Sequence, residues 1–151
     1  MATDFRQRAQ SYLDEASRTL ANLPLDVLDR IHGILCDAYR NDRQVIVMGN
    51  GGSAALASHF AVDLGKGTVA EGKPRFRVLS IVDNTPVMTA YANDLSYADV
   101  FSEQIRALAR PGDLVFGISG SGNGHYGGKA EVYMEVGEAM GRAMVELLKA
   151  R

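Results

Sequence analysis

The chain has one cysteine, Cys36, in 151 residues, so it forms no internal disulfide, a usage that suits a reducing cytosol. No apolar run approaches the roughly 18 residues that a membrane-spanning helix needs. The first ten residues, MATDFRQRAQ, lack the apolar stretch of a secretory signal. These absences predict a cytoplasmic protein with no membrane partner. An excess of either charge is missing as well: sixteen Lys and Arg face eighteen Asp and Glu, a net charge of −2 with His neutral. That balance offers no basic footprint to nucleic acid. Disorder is excluded too, because 46% hydrophobic and 23% charged residues are ordinary for a folded domain. The length suits a single domain over residues 1–151 and is too short for two well-formed ones.

Glycine is what the chain has in excess, 16 residues or about 11% against a usual ~7%. Its placement follows an alternation of helices and strands. Phe5, Ala9, Tyr12, Ala16 and Leu20 recur at spacings of three and four, which predicts an amphipathic helix over residues 2–22. Pro24 then opens a second helix over 25–39, with Leu28, Ile31, Leu35 and Tyr39 as its buried stripe. His32 lies beside that stripe and reads as a structural histidine. Short β-branched runs at 45–48, 78–82 and 114–118 read as buried parallel strands. Between them, 53–64, 85–92 and 97–109 read as helices, and 129–149 as a last one. Strands alternating with helices indicate an α/β fold with a parallel sheet.

Two strands end in polar glycine loops, GNGGS at 49–53 and SGSGN at 119–123. In a parallel sheet, ligands bind beyond the carboxyl ends of the strands. Glycine lets backbone N–H groups approach an anion, and the helix that follows adds partial positive charge. Hydroxyls of Ser53, Ser119 and Ser121 add donors, so the pair of loops makes a phosphate cradle that needs no Lys or Arg. Other glycine-loop chemistries fit less well. The loops lack the dinucleotide spacing, with only Asp83 left in favour of a nucleotide, and there is no Gly-Lys-Ser/Thr phosphate loop. Neither loop is a GxSxG nucleophile elbow.

VIVMGNGGSAALASHFAVDL, followed by the segment from Ser80 to Asn123 with its AND and SGSGN motifs, resembles the sugar isomerase (SIS) domains. Within that group the chain is similar to the phosphoheptose isomerases, which interconvert sedoheptulose 7-phosphate and a heptose 7-phosphate. The likeness runs over residues 2–123 and resumes in the last helix. It implies a flavodoxin-like, three-layer αβα fold with an N-terminal helical pair. Residues 1–42 would then assemble a homodimer or homotetramer, and 43–151 would form the phosphosugar-binding core. The resemblance assigns Asn50, Gly51, Gly52 and Ser53 to substrate and phosphate, Asn93 and Asp94 to the sugar, and Ser119, Gly120 and Ser121 to the second phosphate loop. It makes His59 a zinc ligand and puts Asp63 where the family commonly has a Glu that binds metal and moves protons. By itself a helical histidine more often serves packing. His59 and Asp63 are nevertheless i and i+4 on one helix and share a face.

The chain departs from this pattern in two places. The family's last helix carries a Gln and a His; here Ala130 and Glu138 stand at those positions. Ala130 binds no metal, so the implied zinc set becomes His59, Asp63 and Glu138, with Asp63 and Glu138 as proton carriers. Relatives without the metal set bind partners instead of catalysing. A non-catalytic scaffold or regulator that binds a sugar phosphate or a protein partner is therefore the alternative to an isomerase. Second, only GHYGG separates Asn123 from the last helix, with His125 read as loop surface. About 40 residues, roughly one βαβ unit and more, are absent relative to the family. The domain is then short of its last two strands, and the third strand becomes a sheet edge. Either the protein is internally shortened or a stretch is missing from the sequence.

Overall fold

The computed structural model describes residues 4–119. The expected helix at 129–149 and the junction at Asn123–Gly124 lie outside them, as does His125. The chain divides into two compact units, the first ending at Cys36 and the second beginning at Asp37.

The first unit is helical. Asp4 caps α1 (Phe5–Ala21) by accepting from the Arg6 N–H, and α2 (Leu25–Arg40) starts just after Pro24. The stripe of α1 is present but uncovered, with Phe5, Tyr12 and Leu20 exposed. On α2, His32 is exposed and its Nε2 lies 3.3 Å from the Cys36 sulfur.

The second unit is built on a three-stranded parallel sheet in the order β2-β1-β3. Its strands are β1 (Gln44–Met48), β2 (Arg77–Ser80) and β3 (Leu114–Gly117). Val45, Ile46, Val47 and Met48 are all buried, so the central strand is covered on both faces. Successive side chains alternate between those faces. Register aligns Ile46 with Leu79 on one side and Val115 on the other. That face meets Ile105 and Phe101 of α5 (Val100–Leu108), together with Ile81. The opposite face carries Val45, Val47, Val78 and Phe116, and α3 (Gly52–Val62) packs there, with Phe60 stacked on Phe116 at 5.0 Å. One helix on each face makes the three layers. Among the described residues β3 is paired on one side only.

Around the sheet, β2 and two of the helices depart from their sequence expectations. β2 stops at Ser80, one residue short of the position opposite Met48; Ile81 there donates to Val47 O at 3.0 Å and is buried as a bend residue. The 53–64 helix does not end at Gly65 but passes into a widened π turn, Asp63–Gly67. Gly65 approaches β2 so closely that a Cβ there would lie 2.9 Å from Val78 Cγ1. The 97–109 helix is split into a 3₁₀ turn, Tyr97–Asp99, and α5. Ser96 Oγ, bonded to Asp99 Oδ2 at 2.6 Å, braces that tighter first turn.

Candidate functional site

Register fixes the site first. Met48 pairs with Gly117, so the two glycine loops leave the sheet from adjacent strand ends. Gly49 is buried, and a Cβ on it would lie 2.6 Å from Ser53 O and 3.0 Å from Ile118 O. Only a glycine lets β1 turn this tightly beside β3. Gly51 takes φ +54, the left-handed region, which lets the chain reverse directly into α3. Ser53 N donates to Asn50 O at 2.9 Å and Ala54 N to Gly51 O at 3.0 Å, closing the first turn. No side chain at the Gly51 cap position bonds this helix start. The N-terminal N–H groups of α3 thus place partial positive charge just beyond the carboxyl end of β1. Ser119 follows β3 and is exposed, whereas Gly120 and Ser121 lie outside the described residues.

The sugar-contact candidates sit on a different element. Asn93 and Asp94 are the last residues of α4 (Thr85–Asp94), a helix longer than the sequence pattern indicates. Both are exposed, and Asn93 Nδ2 donates to Asp94 Oδ1 at 2.9 Å. Tyr97, three residues on, donates its hydroxyl to Asn50 Oδ1 at 2.8 Å. One hydrogen bond thus ties the α4–α5 connection to the first glycine loop.

His59 and Asp63 do share a face: His59 Nε2 lies 3.5 Å from Asp63 Oδ2, with both side chains exposed. Asp63 begins the π turn, so it stands where the regular helix ends. Glu138 lies outside the described residues. Among the described residues no group of three His, Cys, Asp or Glu side chains converges. Two donors fall short of the three protein ligands a catalytic zinc takes.

Sequence patterns did not flag a second polar cluster. Ser58 Oγ donates to Asp83 Oδ1 at 2.5 Å and lies 3.4 Å from Ser80 Oγ. Hydrogen bonds from Ser58 and then Ser80 hold the Asp83 carboxyl below the usual carboxylate range, outweighing the slight desolvation. Asp83 is thus pinned to α3 at the carboxyl end of β2. A hydroxyl inside AALASHF, facing a strand that ends in Ser80 and Asp83, was the available signal for Ser58. Tyr97 had no local signal.

A parallel α/β sheet whose strands β1 and β3 end side by side defines a domain of the open α/β class, the class in which ligands bind beyond the carboxyl ends of the strands. Residues 5–129 match the SIS domain, and the chain belongs to that family. Its curated relatives include a probable phosphoheptose isomerase of Thermoplasma acidophilum, 44% identical over 115 residues, covering 76% of this chain and 63% of that protein. A phosphoheptose isomerase of Akkermansia muciniphila is 34% identical over 130 residues, 86% of this chain and 66% of the relative. The solved structure of phosphoheptose isomerase GmhA from Neisseria gonorrhoeae superposes with a TM-score of 0.69 at 26% identity, over 91% of this chain and 71% of that one. The chain is therefore shorter than the proteins it matches.

Proposed function

We propose that this chain binds a phosphosugar of the sedoheptulose 7-phosphate class and that its site is built for aldose–ketose isomerisation. The observation that carries the proposal is the convergence of the GNGGS loop, the exposed Ser119 and, through Tyr97, the Asn93–Asp94 helix end. Backbone N–H groups and the α3 terminus would receive the phosphate. Asn50, Asn93 and Asp94 would engage sugar hydroxyls. In the isomerisation a base removes the proton beside the carbonyl to give an enediol, and an acid returns a proton to the neighbouring carbon. Asp63 is the proposed base and Glu138 the second proton carrier. Asp63 is one methylene shorter than Glu, and a misplacement near 1 Å costs about 100-fold in rate. Turnover is expected to be weak beside a relative with the full Gln and His set.

Zinc belongs to this proposal only as a His59, Asp63 and Glu138 set, with Glu138 as the required third donor. Assembly into a homodimer or homotetramer through α1 gives its exposed Phe5, Tyr12 and Leu20 a covering surface. Ala130 favours a second reading, in which the domain binds its sugar phosphate as a scaffold or regulator without turnover. Calorimetry with sedoheptulose 7-phosphate, alongside an assay for aldose product with and without added zinc, separates these readings. Binding with slow turnover supports the isomerase, binding alone the regulator, and no binding refutes both.

A further inference from the structure

We propose that Tyr97 is a positioning residue of the phosphosugar site, holding the Asn50 side-chain amide so that it presents N–H donors to ligand oxygens. The proposal rests on the phosphosugar reading above and adds a residue to it. An asparagine amide carries one acceptor oxygen and one NH2 group with two donors. Tyr97 donates to the oxygen at 2.8 Å, which fixes the rotation of the amide and leaves ligand recognition to its nitrogen. The contact joins residues 47 apart in sequence, so it depends on the tertiary fold alone.

Tyr97 is 62% exposed, and so little of its ring is buried that packing does not account for its place. The turn that carries it is instead held by polar contacts. Ser96 Oγ donates to Asp99 Oδ2 at 2.6 Å, and Ser102 Oγ donates to Asp99 O at 3.1 Å. A braced turn aiming an exposed phenol at a loop amide is the arrangement expected of a residue that orients a neighbour. Because Tyr97 follows Asp94 by three residues, the same bond sets the spacing between Asn50 and the Asn93–Asp94 pair. A free Asn50 amide would sample rotamers, and ordering it would then oppose ligand binding.

The test is a double-mutant cycle read by calorimetry with sedoheptulose 7-phosphate, on wild type, Tyr97→Phe, Asn50→Ala and the double variant. Tyr97→Phe removes only the hydroxyl and should weaken binding about fivefold, the cost of ordering one freed side chain on binding. In the Asn50→Ala background the same change should have no further effect. Thermal unfolding midpoints of Tyr97→Phe and wild type should coincide, since a merely structural role would move the midpoint in both backgrounds. Wild-type affinity in Tyr97→Phe, or an equal loss in both backgrounds, overturns the proposal while leaving the phosphosugar reading intact. No binding by the wild type overturns that reading and the proposal with it.

Discussion

Three glycines of the first loop give a graded test of how the sheet positions its site. At Gly49 an added Cβ would lie 2.6 Å from Ser53 O, 2.7 Å from Ser53 C and 3.0 Å from Ile118 O. Carbon–oxygen contacts normally begin near ~3.3 Å, so the methyl must retreat by about 0.7 Å. Every atom in its way is backbone, and no side-chain rotation relieves the clash. Either the first turn of α3 shifts, straining the Ser53 N to Asn50 O bond, or β3 moves off Met48 O, which Ile118 N contacts at 2.8 Å. Gly49→Ala should therefore cost about 3 kcal/mol, the upper range for overpacking. That is a large share of the total stability of a typical domain, about 5–15 kcal/mol. Gly51→Ala meets open space but must hold φ +54 with ψ −122, at a cost of about 1–3 kcal/mol. Gly52→Ala meets open space at an ordinary φ in the first turn of α3 and should be neutral or stabilising by up to ~1 kcal/mol. Urea unfolding followed by circular dichroism measures all three. The reasoning is refuted if Gly49→Ala lies within about 0.5 kcal/mol of Gly52→Ala, a spacing at the edge of ordinary surface effects.

Because hydrogen bonds depress the Asp83 pKa in the folded state, its stabilising contribution is present above about pH 4, the unfolded carboxylate range, and is lost as pH falls through the folded value. A carboxyl NMR titration should find Ser58→Ala raising that pKa; an unmoved titration would mean that the Ser58 bond is not its main cause. Ile46→Ala, at a fully buried position, should cost about 2–5 kcal/mol in chemical unfolding. Leu25→Ala, at a site 74% exposed, should stay within about 0.5 kcal/mol in the same assay. A Ser53→Ala, Ser121→Ala double variant should lose about tenfold or more in sugar-phosphate affinity, two hydrogen bonds' worth, and unchanged affinity would remove the serines from the phosphate cradle. Asp63→Asn should abolish whatever isomerase turnover the wild type has, and turnover that survives it would assign the base elsewhere.

The sequence by itself determined the parts whose causes are local. β1 and β3 are legible because short β-branched runs stop at glycines, and α3 because a helical stretch follows a loop able to turn tightly. The i, i+4 spacing of His59 and Asp63 likewise needed only helix geometry, and the two side chains do meet at 3.5 Å. Where hydrophobicity served packing instead of pairing, the pattern misled. Ile81 and Val82 extend the apolar run of β2, yet the ladder ends at Ser80 and Ile81 is buried in the core as a bend residue. Strand order and register were decided only in three dimensions, and with them the division of labour between the faces: α3 against Phe116 and the π turn after it against Val78, α5 against Leu79 and Val115. The same holds for Ser58 on Asp83 and Tyr97 on Asn50, 25 and 47 residues apart. Periodicity records which side of one element is apolar. Which distant polar atom comes within hydrogen-bond reach depends on how the elements are laid side by side, and that is settled only when the buried faces of β1 have found their covers.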